Sequence, residues 1–341
     1  MYEDSFPSIT QLRKLAKILG RPESFFFMET PPKQDPTPAE FRRFAGSTGR
    51  PGTHTIDGVK LARRVQKTHA WIRQRGNESP VPLPQISSEE GVEETAELLR
   101  AWLGWSTETQ MQVSDAASAR EFRSALQSKG ILALNLTLDE GITRGFSLHH
   151  PYAPLVAANT RDPHPARLFS YAHELVHLCL GEDAVCGTHG IKQGIERFCN
   201  RVASAILMPR RAFIDFKISK FGRTQVSEIK QVTTIKNRFR VSMRAAAIRL
   251  EELNLAAPGL YDKVDRTATV DKKKTGFSVP GQEPRTRPRI RVDQYGHEFI
   301  GTLFAAEEKG LLRPRQISEL LSVSEKELSS VRQLALVGVD S

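Results

Sequence analysis

The stretch Phe169-Ser170-Tyr171-Ala172-His173-Glu174-Leu175-Val176-His177-Leu178 constrains this chain more than any other. Its core, His173-Glu174-Leu175-Val176-His177, has the pattern H-E-x-x-H inside an apolar run free of helix breakers. Residues four apart on an α-helix lie one above the other on the same face. Two imidazoles so placed can grip one metal ion, with the intervening glutamate near its open coordination position. A purely structural histidine pair needs no glutamate at that offset. Pro163 and Pro165 precede the run and Gly181 is placed to end it, the usual punctuation of a helix. Zinc suits imidazole, and a catalytic zinc site takes three protein ligands plus a water. The third ligand is therefore expected downstream, and Glu196, on the helical stretch from Ile195 to Pro209, is the candidate.

At 341 residues the chain is long enough for two or three domains. No run approaches the roughly 18 apolar residues of a membrane span, and Met1-Tyr2-Glu3-Asp4 lacks the basic-then-apolar start of a signal peptide. Three cysteines, Cys179, Cys186 and Cys199, without C-x-x-C spacing argue against a disulfide framework and for a reducing cytoplasm. The net charge of +10 is uneven: residues 210–341 hold 25 Lys and Arg against 16 Asp and Glu. So basic a C-terminal third invites contact with nucleic acid, although a solvated surface has the same composition.

In chain order, residues 8–27 read as an amphipathic helix with an apolar finish, and prolines up to Pro38 make a linker. Residues 39–88 read as a helical linker region with a basic helix from Val59 to Arg75. The expected catalytic domain spans 89–220. Its helices fall near Glu89–Leu103 and Asp115–Ser128, followed by short apolar runs at 131–136, 145–149 and 154–159. Three such runs separated by turn residues suggest a small antiparallel meander just before the metal helix. The fold class is thus α+β, mostly helical, with a three-stranded antiparallel sheet and helical C-terminal regions. Adjacent strand residues face opposite sides, so His149 and His150 are not expected to share a metal. Residues 221–257 read as a helix-turn-helix-like pair whose second helix is capped by Ser242. A basic flexible linker is expected over 258–292 and a small domain of three helices over 293–341.

The strand ending Val156-Ala157-Ala158-Asn159, the helix from Arg167 to His177, and Ile195-Glu196…Asn200…Ala203…Ile206-Leu207-Met208-Pro209 resemble the ImmA/IrrE family of bacterial metallopeptidases. The resemblance runs from roughly Glu93 to Leu253. It implies a zincin-like, gluzincin-type endopeptidase that cuts a repressor-type DNA-binding protein and so releases genes in a phage, mobile-element or stress-response system. By the same resemblance, Zn2+ falls on His173, His177 and Glu196, and Glu174 is the general base. Residues 8–27 resemble the last helix of the XRE-type helix-turn-helix domain, whose groove-reading helices are absent from the match.

Asn200, four residues after Glu196, is a candidate to support the ligands. Tyr152, His164 and His189 are candidates to stabilise an oxyanion. The strand around Ala157 and Asn159 is a candidate edge to which an extended substrate could add. The rival readings are a DNA-binding regulator with a silent or structural metal site, and an antitoxin-like binding module. Closed structural zinc sites favour four ligands, usually including cysteine, which weighs against both.

Overall fold

The computed structural model describes residues 8–19, 40–43, 52–140, 143–181, 189–272 and 285–337. It divides into two compact units, Met1–Pro38 and Ala39–Ser341. The described part of the first is α1, Ile9–Leu19. This helix opens with a reciprocal cap: Gln11 N donates to Ser8 Oγ and Ser8 N to Gln11 Oε1. The expected finish at Phe25-Phe26-Phe27 lies outside the described residues.

The second unit is built on a four-stranded sheet in the order β1-β3-β4-β2. Its strands are β1 (Glu40–Arg43), β2 (Leu132–Leu136), β3 (Thr143–Leu148) and β4 (Leu155–Asn159). The sheet is mixed rather than antiparallel, which corrects the expected meander. β3 pairs antiparallel with β1 and β4, whereas β2 pairs parallel with β4. The physical reason lies in β4. Leu155, Val156, Ala157 and Ala158 are all fully buried, and a strand apolar on both faces belongs in the middle of a covered sheet.

Each face of the sheet carries its own core. On one face Ala133, Val156 and Ala158 pack against α6 (His164–Leu180) and, with it, α3 (Val92–Leu103), α5 (Asp115–Ser128) and α7 (His189–Leu207). The second helix of that layer, α4 (Thr107–Gln112), is short and begins at a Ser106 cap. The layer continues through α8 (Arg210–Phe221), α9 (Ile229–Phe239), α10 (Met243–Glu252) and α11 (Leu260–Lys272), which bury Phe213, Phe239, Leu250 and Val264. On the other face Leu134, Phe146, Leu148 and Leu155 meet α2 (Thr53–Arg75) and four C-terminal helices. These are α12 (Arg287–Tyr295), α13 (His297–Glu308), α14 (Pro314–Leu321) and α15 (Glu325–Val337). The three helices expected over 293–341 are α13, α14 and α15; α12 lies in the stretch read as a linker, and all four take part in the second core.

Long-range polar contacts explain the element boundaries that differ from the sequence reading. α2 starts at Thr53 because Asp139 accepts from Thr55 N at 2.9 Å, capping the helix from far along the chain. The Arg-rich stretch around Pro288 is helical because proline is tolerated in a first turn, and Val292 and Tyr295 anchor it. Lys273 and Lys274 of the expected linker lie outside the described residues.

One core group sets a pH dependence. His69 of α2 is buried edge-on against Phe299, and burial followed by the nearby Arg73 pushes its pKa down to about 4. A folded-state pKa below the unfolded value near 6.5 means the unfolded chain binds the proton first. Stability from neutral His69 is therefore whole above pH 6.5 and is lost as pH falls toward 4, by on the order of 3 kcal/mol. Urea unfolding at pH 7 and pH 4.5 should show a smaller loss for His69→Gln than for the wild type. Equal losses in both would refute the assignment.

Candidate active site

α6 and α7 pack against each other with α6 lying across β3 and β4. The sequence folds this way because α6 is apolar nearly all round: every residue from Ser170 to Cys179 is buried. Tyr171 fixes its rotation by donating to Leu134 O at 3.2 Å and Asn135 Oδ1 at 2.8 Å on β2. α7 is held at its C-terminal end, where the last carbonyls of a helix lack partners within the helix. Arg100 donates to Ile206 O, Gln110 to Leu207 O at 2.7 Å, and Arg249 to Met208 O at 3.1 Å. Arg249 is itself buried and paired with Glu93 at 2.8 Å. Three side chains from α3, α4 and α10 thus clamp the helix that carries Glu196.

The two helices bring His173, His177 and Glu196 together, their candidate ligand atoms all within 4.8 Å of one another. The two Nε2 atoms are 3.1 Å apart. Glu196 Oε2 lies 3.4 Å from His173 Nε2, and Oε1 lies 3.3 Å from His177 Nε2. Ligand atoms about 2.05 Å from a tetrahedral zinc are about 3.3 Å from each other, so the spacing and the nitrogen–nitrogen–oxygen donor set both fit a zinc ion. Glu174 is fully buried between the histidines. Burial opposes the charged form of both partners. Nevertheless hydrogen bonds to His173 and His177 hold the Glu196 carboxyl well below its ordinary range. His177 is correspondingly held well above its own, by Cys199, Glu196 and Glu174.

Two neighbours were not read as site residues from the sequence. Cys199 lies near enough to His177 to interact with it electrostatically, and burial pushes its thiol pKa up. Gly145 of β3 lies directly over the glutamate: a Cβ there would stand 3.3 Å from Glu174 Oε1 and 2.7 Å from Ala157 O. A glycine inside a strand often marks such a close approach, and that was the available signal.

The remaining candidates fall elsewhere. Asn200 is exposed, off the buried stripe of Phe198, Cys199, Val202 and Ala203. Tyr152 packs with the core on the opposite face of the sheet, and its amide donates to His150 Nδ1 at 3.1 Å. Ala157 belongs to that opposite core and to a strand paired on both sides, so β4 offers no edge to a substrate. Asn159 has a bridging task, accepting from Leu138 N and donating to Thr143 O. His164 pairs with Arg167 at 2.8 Å in the first turn of α6. The His189 side chain lies outside the described residues.

Residues 126–251 match the model of the IrrE N-terminal-like domain, peptidase M78. The chain carries an M78 domain. That domain runs from the end of α5 to α10, so it contains β2, β3 and β4 with both site helices. Over these residues the match supports the ImmA/IrrE resemblance read from the motifs; it does not reach the XRE-like residues 8–27. No curated protein matches the chain. Among solved structures, a Mycobacterium tuberculosis transcriptional regulator matches at 15% identity with a TM-score of 0.36, over 55% of this chain and 51% of that one. The chain thus spans about half the length of that protein. No helix among the described residues is long and apolar enough to cross a membrane.

Proposed function

We propose that the M78 domain is a zinc-dependent endopeptidase whose substrate is a helix-turn-helix repressor of the XRE type. The observation that carries this reading is the convergence of His173, His177 and Glu196 at zinc-ligand spacing around a fully buried Glu174. His173, His177 and Glu196 would hold the ion. When bound, zinc supplies Lewis acidity to the attacking water and the scissile carbonyl.

The chain's own residues do the rest. Glu174 takes the proton of the attacking water on a carboxylate oxygen and delivers it to the departing amide nitrogen. Burial of that carboxylate under Gly145 keeps bulk water from competing for the proton. Repressor cleavage in a cytoplasmic setting is the substrate assignment implied by the family. It is tested by incubating the zinc-loaded chain with an XRE-type helix-turn-helix repressor from its own genome. The expected result is a discrete cut that a chelator prevents; an intact repressor under those conditions would contradict the substrate assignment.

A further inference from the structure

Resting on the peptidase reading, we propose that β1 is an internal occupant of the substrate edge, and that this edge opens to a substrate only when β1 leaves. In the sheet order β1-β3-β4-β2, β4 is closed on both sides and β3 has one lateral partner besides β4. That partner is β1, a segment of this same chain. β3 is also the strand over the chemistry, because Gly145 lies against Glu174. The outer edge of β3 is therefore the main-chain ladder nearest to Glu174 that an extended peptide could join.

β1 occupies it in antiparallel register: Glu40 opposite Ser147, Phe41 opposite Phe146, and Arg42 opposite Gly145. The register then shifts, so that Arg43 faces Thr143. Arg42 is thus paired with the very residue that covers the catalytic glutamate. Each N–H and C=O along a strand edge serves one neighbour at a time, so β1 and a substrate strand exclude each other. The balance favours release on demand. β1 has four residues and ends in an irregularity, and such irregularities interrupt ladder hydrogen bonds. An internal strand also competes at an effective concentration of about millimolar, which a substrate must overcome.

The test uses the full chain and a fluorescent peptide with the sequence of residues 38–45, followed by anisotropy. In an antiparallel ladder alternate residues donate to a given neighbour. Phe41→Pro with Arg42→Pro therefore removes a donor toward β3 whichever of the two faces it. The peptide should bind this variant at least about tenfold more tightly than the wild type. The milder Phe41→Gly/Arg42→Gly pair, which weakens a strand without removing a donor, should fall between, and carries the test if circular dichroism shows the proline variant to be misfolded. Hydrogen exchange at residues 143–148 should be faster in the variants and slowed again by the peptide. Equal affinity for wild type and variants, or unchanged exchange along β3, would overturn the proposal. Neither readout needs hydrolysis, so failure of the peptidase reading would be seen separately, as absent cleavage in every form. If both hold, the proline variant cleaves a generic unfolded protein about tenfold faster than the wild type.

Discussion

Glu174→Gln should lose peptide hydrolysis while keeping its metal. The amide has the shape of the carboxylate, so the packing under Gly145 is preserved, and His173, His177 and Glu196 are untouched. What is lost is a base, and general-base catalysis is worth about 10²–10⁴-fold in rate. Turnover should therefore fall by that range with metal content unchanged and the far-ultraviolet spectrum superimposable on the wild type. Undiminished turnover, or metal loss in this variant, would remove Glu174 from the role proposed for it.

A second large effect is expected from deleting residues 285–341. The sequence reads this region as a linker and a separate small domain, which would make it dispensable for the metal site. The structure instead seats Val292, Tyr295, Phe299, Ile300, Leu303, Ile317, Leu321 and Val331 in the core on the second face of the sheet, each at most 1% exposed. Arg123 of α5 also donates to the Asp293 and Gln294 carbonyls, at 2.7 Å and 3.0 Å. Each large apolar side chain exposed costs about 1.5–3 kcal/mol, and a folded domain has only about 5–15 kcal/mol in hand. The truncated chain should show no cooperative thermal transition and should bind a hydrophobic dye. A cooperative melt near the wild-type temperature would show that the second core is dispensable.

The metal helix was legible in the sequence because its spacing carries chemistry and periodicity together. An i, i+4 histidine pair, a glutamate between them and a breaker at each end leave few alternatives. Glu196 was legible through the family resemblance, since no local pattern joins an acidic residue to a histidine pair some twenty positions away. β4 was misplaced although its run of buried residues pointed to a central strand, because short turns on both sides suggested a meander. Its neighbour was decided by pairing with β2 across the intervening β3, which no local signal encodes. The cap on α2 from Asp139 and the clamp on α7 from Arg100, Gln110 and Arg249 are likewise long-range hydrogen bonds. Composition alone gives Cys199 no role at the site, and only the packing of α7 on α6 brings it near His177. Of the C-terminal helices only α12 was hidden, by its arginines and Pro288, a composition shared by linkers and by first turns.

The central claim is that His173, His177 and Glu196 hold one metal ion, and metal content after dialysis against a chelator tests it most directly. The purified full chain should retain about one zinc per molecule, as a three-ligand site does. Glu196→Ala removes a charge and a bond, a larger loss than the ~10–100-fold typical of residues that only orient a ligand. It should emerge from the same dialysis essentially free of zinc, with its fold intact by circular dichroism. Zinc retained equally by both proteins, or by neither when zinc is supplied during preparation, would contradict the account.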